Sequence, residues 1–336
     1  MGEYARSLAI ATAVVERWPQ CEIHFVLSSA APYAAATPFP KTLLPSSPTF
    51  HSDEVIRAIR EFRSDVIIFD NAGRTRQLRA AHASGARIVY ISSRPRQRRR
   101  AFRLRWMPRI DEHWIAYPEF IAGSLTKLER LKLWIFNRPV VRYLDTLVPP
   151  ENPVLSQALL SRFALQAGTY VLVVPGGGTG HPGKENAPDI VADGAARIAL
   201  HGHPTIVVGV PTPEPSTPTH RLLQYTPRLP MTELAELIRA ASLVISNGGD
   251  TLLQVLACGR PCVAVAIAGD QAHRIEKCVQ KGLALRAALD AGELATISLA
   301  LLDDEAKLTA LAVRAGRSGV NNGLEIALAA IEKLSA

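Results

Sequence analysis

The sequence predicts an α/β protein of two Rossmann-like domains, each built on a doubly wound parallel sheet. Three observations carry this expectation. Short apolar runs of β character alternate with segments of helical periodicity along most of the chain. Glycine clusters stand where an apolar run would hand over to a helix, at Gly176–Gly180 and again at Gly248–Gly249. Finally, the stretch Ile245–Gln271 reads strand, glycine turn, helix, strand, with polar residues only where the strands stop. Helices between successive strands imply right-handed crossovers and parallel pairing.

In the N-terminal half, helical periodicity runs over Ser7–Trp18, Ser52–Arg63 and Arg76–Ser84. Apolar runs at Ile23–Leu27, Val66–Asp70, Arg87–Ser92 and Glu112–Ala116 read as strands. The Pro-containing stretch Val140–Pro153 has few regular signals and predicts a hinge, giving domains over 1–145 and 166–336 joined by 146–165. The second half continues with strands at Tyr170–Val174, Thr205–Val210, Leu243–Ser246 and Cys262–Ala268. Helices are expected at Ala187–Leu200, Glu233–Ala240, Thr251–Ala257, Ala272–Lys281 and Asp303–Ala315.

Composition sets the bounds. A chain of 336 residues with 48% hydrophobic and 20% charged residues has apolar material for two cores. No uncharged apolar run reaches bilayer-spanning length, and Arg6, Glu16 and Arg17 interrupt the first apolar stretch, so neither a span nor a signal peptide is expected. Cys21, Cys258, Cys262 and Cys278 lack zinc-ligand spacing and fall in predicted helices or strands, which reads as buried free thiols in a cytoplasmic protein. The net charge of +8 favours anionic partners. Its excess concentrates between Arg94 and Arg109, a run without an acidic residue that also carries Phe102, Leu104, Trp106 and Met107. Following a predicted strand, this run reads as a contact for an anionic membrane surface, a clamp for a phosphorylated acceptor, or a solvated basic loop. No nucleic-acid module accompanies it, so nucleic acid is not an expected partner.

The chemistry concentrates at predicted strand ends, where open α/β sheets bind ligands. Gly248 and Gly249 let backbone N–H groups approach a phosphate at the start of the next helix. Asp270 and Gln271 end the neighbouring strand within reach of sugar hydroxyls. The pattern of Gly248-Gly249 with Thr251, a polar residue three positions on at Gln254, then Gly259-Arg260-Pro261 and Asp270-Gln271 resembles the donor motif of GT-B-fold proteins. That superfamily includes nucleotide-sugar glycosyltransferases, the peptidoglycan N-acetylglucosaminyltransferase and the nucleotide-sugar hydrolase of the pseudaminic acid pathway. Many relatives carry Glu where Gln254 stands, so this chain loses a charge-assisted bond to the ribose.

The resemblance implies two domains facing a cleft and a metal-independent transferase with no cofactor. Its donor would be a nucleoside-diphosphate sugar, UDP-type favoured, and its acceptor a cell-envelope saccharide or lipid-linked sugar. Hydrolase, epimerase and non-catalytic binding readings share the same scaffold. The loop Gly177-Gly178-Thr179, with His181 and Lys184 close behind, is implied to meet the diphosphate, and Arg228 and Met231 to wall the base. Relatives open with a strand ahead of a helix that carries Arg-x-Leu-Ala. Here Arg6-Ser7-Leu8-Ala9 lies in the first helix, so the N-terminal domain is expected to lack its first strand, and a start site set too far downstream is the favoured account. In the same alignment Glu3 replaces a His near the reacting centre, as a general base or a helix-capping acid. Asp70, ahead of Asn71-Ala72-Gly73, is a second candidate base or plain turn chemistry. No His, Cys or carboxylate spacing predicts a bound metal.

Overall fold

The computed structural model of the chain describes residues 2–176, 186–210 and 220–335. Two compact units emerge, one formed by Met1–Leu147 with Asn322–Ala336 and the other by Val148–Asn321.

The first unit opens with α1 (Gly2–Arg17), β1 (Phe25–Ser28), β2 (Lys41–Leu44), α2 (Ser52–Phe62), β3 (Val66–Asp70) and α3 (Thr75–Ala83). It continues with β4 (Arg87–Ser92), α4 (Pro95–Ala101), β5 (Glu112–Ile115), α5 (Glu119–Ala122), α6 (Lys127–Phe136) and β6 (Val140–Tyr143). All pairings are parallel, but they form two sheets: β1–β2, and β3–β4–β5–β6. Helices cover both. Ile10 and Val14 of α1 pack with Ile23, Val66 and Ile68 on one face. Val55 and Ile59 of α2 and Leu78 of α3 pack with Val26 and Ile67 on the other. Shared covering helices make β1 and β3 parts of one layer, interrupted between them. A right-handed crossover through α1 would put its preceding strand beside β1, so the interruption lies where the expected opening strand has no counterpart among the described residues. Burial follows: β5 is buried throughout, whereas β1 and most of β3 are half-buried.

The second unit holds α7 (Pro153–Arg162), β7 (Val171–Val174), α8 (Ala187–Leu200), β8 (Thr205–Val208), β9 (Leu223–Thr226) and α9 (Met231–Ala240). Then come β10 (Leu243–Asn247), α10 (Asp250–Ala257), β11 (Cys262–Val265), α11 (Gly269–Gln280), β12 (Leu285–Ala287), α12 (Ala291–Leu302) and α13 (Glu305–Gly316). One parallel sheet runs β12–β11–β10–β7–β8–β9. From β7 the chain winds outward through β8 and β9, then returns to β10 on the opposite side. Strand order therefore reverses between β7 and β10, the position where such sheets bind ligands. Strands β7, β8, β10 and β11 are buried at every residue, as sheets covered on both faces require.

Three boundaries differ from the sequence reading. The stretch Val140–Pro153 is not an irregular hinge throughout, because β6 pairs with β5 and Arg142 binds Glu112 through two hydrogen bonds of 2.7 and 2.9 Å. Residues 153–162 of the expected linker are α7, started by Pro153 and capped by Asn152, whose Oδ1 accepts from Leu155 N at 3.0 Å. The last helix, α14 (Gly323–Ser335), returns to the first unit, where Leu324, Ala327, Leu328 and Ile331 pack against Ile10 and Val14.

Candidate functional site

The carboxyl ends of β7 and β10 are tied together by one side chain. Asn247 donates from Nδ2 to the Pro175 carbonyl at 3.2 Å and accepts at Oδ1 from Gly249 N at 2.9 Å. Gly176 accepts no side chain, because a Cβ there would fall onto Asn247 Nδ2. Gly248 is equally constrained: its Cβ would lie 2.7 Å from Ile275 Cγ1 and 2.9 Å from Gln271 Cβ. The two predicted strand tips, Gly248–Gly249 and Asp270–Gln271, are thus neighbours. Helix α10 begins directly from this turn, with Gly249 as N-cap and, among the described residues, no side-chain cap. Uncapped N–H groups and the positive end of the helix dipole make this turn receptive to an anion. Thr251 stands in the first turn, half-buried, and Gln254 is buried one turn on.

Gln271 is a structural cap. Its Oε1 accepts from Ile267 N at 2.9 Å and from Ala268 N at 3.3 Å, holding the end of β11 to the start of α11. Only its amide nitrogen is left to meet a ligand through that group. Asp270 is 72% exposed, so its carboxylate is available at the rim, 3.7 Å from Arg274. Arg274 is buried and donates to the Gly248 carbonyl. The Arg228 stem runs over Gly209 at the end of β8, and Met231 starts α9, half-buried. Gly177, Gly178, Thr179, His181 and Lys184 lie outside the described residues.

In the first unit, Glu3 lies in the first turn of α1, and its Oε1 accepts from Asn71 Nδ2 at 3.2 Å. Asn71, in the left-handed region at φ 52°, also donates to Ser93 Oγ at 2.6 Å and accepts from Ser93 N at 2.9 Å. Burial pushes the Glu3 carboxyl up, but its own backbone amide with the Arg6 and Arg94 charges holds it below the usual carboxylate range. Asp70 is otherwise engaged. Arg6 grips both carboxyl oxygens at 2.7 and 3.0 Å, and Ser7 Oγ donates at 3.2 Å. Burial pushes the Asp70 carboxyl up while the Arg6 charge pulls it down. With both oxygens occupied, Asp70 ties α1 to the tip of β3, a positioning role.

Sequence reasoning missed Asn71 as a bridge and an aromatic group beside Glu3. Tyr4 stacks on Tyr33 at 4.1 Å between ring centroids, with Phe25 at 6.3 Å from Tyr4 and Phe39 stacked on Phe25. Tyr33 titrates above its usual value, through burial first and then the Glu3 charge. No local spacing in the sequence announces this group, whose members lie between residues 4 and 39.

Comparison with solved structures fixes the architecture. The spinosyn forosaminyltransferase SpnP aligns over 100% of this chain and 96% of its own, with TM-score 0.64 and 14% identity. UGT2 of Phytolacca americana, complexed with UDP-2-fluoro-glucose and pterostilbene, aligns over 100% and 98%, with TM-score 0.65 and 13% identity. The fold is GT-B. A protein assigned as UDP-N-acetylglucosamine 2-epimerase from Listeria monocytogenes has the same fold, with TM-score 0.60 and 13% identity over 99% of this chain and 94% of its own. No protein-family model matches the chain, and no curated protein sequence matches it.

Two expectations outside this site change. Phe102, Trp106 and Met107 are buried, at 3%, 2% and 0% exposure, so they are core residues and cannot enter a membrane interface. Trp106 Nε1 instead donates to Thr75 Oγ1, and only Leu104 of the four stands exposed. Cys21 is exposed in the loop after α1, not buried in a helix or strand. The other thiols are inert: burial pushes Cys258 and Cys278 up to about 11 and Cys262 to about 12. Among the described residues no group of His, Cys, Asp and Glu is arranged to hold a metal ion, and no helix is long and apolar enough to cross a membrane.

Proposed function

We propose that the chain is a glycosyltransferase that takes a nucleoside-diphosphate sugar, UDP-type favoured, in its second unit. The observation that carries this is the uncapped start of α10, set against the Asp270–Gln271 turn at the strand-order reversal. Neutral amides and helix dipole there suit a diphosphate without protein-held metal. Asp270 at the rim suits donor-sugar hydroxyls, Gln254 the ribose, and Arg228 with Met231 the base. The loop 177–181 would add backbone donors. Solved complexes of similar folds with UDP or a UDP-sugar favour the same donor class.

Glu3 is the base we assign to the acceptor hydroxyl, because its pKa is held low and Asn71 orients it. A carboxylate below its usual range is ionised at neutral pH, although its weak basicity demands good alignment. Tyr4 and Tyr33 provide stacking surface for the acceptor, which we take to be a cell-envelope saccharide or its lipid-linked form. Epimerisation or hydrolysis of the nucleotide sugar is the second reading, favoured by the similarity to the Listeria protein.

Titration calorimetry with UDP and a panel of UDP-sugars tests the donor site. Micromolar to millimolar binding is expected, with Asp270→Ala weakening the sugar nucleotides more than UDP itself. Equal affinity of Asp270→Ala for every ligand removes Asp270 from the sugar site, and absence of any nucleotide binding removes the transferase reading. Product analysis separates the reactions: free sugar without acceptor means hydrolysis, and an inverted ring centre means epimerisation.

A further inference from the structure

The first unit carries an apolar face that nothing in the donor reading uses. Helix α6 has no buried residue. Leu128, Leu131 and Ile135, at i, i+3 and i+7, share one face, and they are 60%, 50% and 59% exposed. Trp134 beside them is 81% exposed, and Val140, just beyond the helix, is 49% exposed. The opposite side, with Glu129, Leu133 and Phe136, turns toward the protein and is half-buried. This inner side is held firmly. Arg98 binds Glu129 through two hydrogen bonds of 3.2 and 2.9 Å, and Lys132 Nζ donates to the Phe102 carbonyl at 3.1 Å. A capping box at Thr126 and Glu129 fixes the start of the helix. The apolar face is therefore displayed on a rigid mount.

Those same contacts set the helix against the arginine run. Arg96, Arg99, Arg103 and Arg105 of that run are exposed, as are Lys127 and Arg130 on α6 itself. Of the acidic residues between 94 and 138, Asp111, Glu112 and Glu129 are each ion-paired with an arginine, and Glu119 remains exposed. Apolar side chains on an outward face with a basic surround match one kind of partner.

We propose that α6 lies in the interface of an anionic lipid surface, inserting Leu128, Leu131, Trp134 and Ile135 while the neighbouring arginines and lysines meet lipid phosphates. A tryptophan beside that face suits the headgroup boundary, where its ring is buried and its N–H stays wet. Apolar insertion and several cations together supply the two signals that stable peripheral binding needs. A second copy of this chain is a poorer occupant, because pairing the faces would bring two arginine clusters together in low dielectric. The inference goes beyond the transferase reading and does not depend on it.

Vesicle flotation of the full chain tests it, using phosphatidylglycerol mixed with phosphatidylcholine, and phosphatidylcholine alone. The expected result is capture by the anionic vesicles, weakened by salt, with little capture by the neutral ones. Trp134→Ser and Leu131→Ser should each reduce capture at least about tenfold, from the apolar area they remove. Arg103→Gln with Arg105→Gln should weaken it and flatten the salt dependence. Val154→Ser, at a residue 81% exposed in the second unit, should leave it unchanged. Because Leu131 and Trp134 are exposed, circular dichroism of the variants should match the parent. Failure to float with anionic vesicles overturns the proposal, as does full capture of both α6 variants. A dimer in sedimentation that Trp134→Ser disperses overturns it in favour of self-association.

Discussion

The two units share a Rossmann-like plan but secure their strand tips with different chemistry. In the second unit no carboxylate makes the ties: the Asn247 amide joins β10 to β7, the Gln271 amide closes the start of α11, and the Arg274 guanidinium holds the Gly248 carbonyl. In the first unit they are ionic: Arg6 grips Asp70, and Glu3 leans on Asn71 and through it on Ser93. Those ties add no negative charge to the α10 amino terminus, where Asp250 alone opposes an anion, so that unit suits one. Carboxylates at the tips of the first unit repel anions and suit a neutral hydroxyl. Burial differs as well. The six-stranded sheet is continuous, whereas the first layer is interrupted between β1 and β3 and buries a histidine, His113, together with Arg6 and Glu112.

The largest effect expected from this contrast is acid sensitivity confined to the first unit. His113 is fully buried, with Nε2 at 2.8 Å from Ser92 Oγ. Burial, and after it the Arg98 charge, lowers its pKa to about 3. The folded state therefore binds fewer protons than the unfolded one, whose histidine titrates near 6.5. Stability is complete above that value and is lost as pH falls toward 3, by on the order of 4 kcal/mol. Trp18, Trp106, Trp114 and Trp134 all belong to the first unit, so tryptophan fluorescence isolates it. Urea unfolding by fluorescence should shift to lower denaturant between pH 6.5 and 4, and His113→Gln should abolish the shift. Parallel acid loss in that variant would remove His113 as its cause.

How much of this was legible in the sequence depends on where each signal is local. The second unit reads well: Ala187–Leu200 and the strands around it follow apolar periodicity, because both faces of that sheet are covered. Asn152-Pro153 also announced α7, an N-cap followed by proline, inside a stretch expected to be linker. Tertiary placement was hidden. That α14 folds back onto α1 follows from apolar faces that cannot name their partners in advance. The arginine run shows the same limit: Trp106 and Met107 sit among cations in sequence yet point into the core, and the exposed apolar face lies on α6. At the site, Gly248 and Asp270–Gln271 carry spacing that survives in three dimensions. Asp70 does not announce its Arg6 partner, which lies sixty-four residues away.

The tips of the second unit can be broken without touching a charge. Gly248→Ala drives a methyl group to within 3 Å of Ile275 and Gln271, and overpacking of this kind costs about 1–3 kcal/mol. It should also part the two tips and weaken UDP binding more than tenfold. Gly269→Ala, at the first position of α11, meets nothing within 4 Å and should be neutral in both assays. Thermal melts and calorimetry on the pair therefore separate tip geometry from helix propensity. Equal UDP affinity in both variants would detach the strand junction from the donor site.

The smallest effect sharpens the electrostatic half of the comparison. Asp250 is the one carboxylate in the first turn of α10, half-buried, where a diphosphate would compete with it for the helix amides. In the free protein that charge is favourable, by about 0.3–1 kcal/mol from the dipole alone. Asp250→Asn should therefore lower the melting temperature slightly while raising UDP affinity about two- to fivefold, the same free energy read in the opposite sense. Both changes should shrink at high salt. In the first unit, Glu3→Gln is the matching substitution, and it should leave UDP affinity untouched because its carboxylate serves a different ligand. An Asp250→Asn variant that loses stability without gaining affinity would mean the phosphates bind elsewhere, and the contrast between the tips of the two units would then describe stability alone.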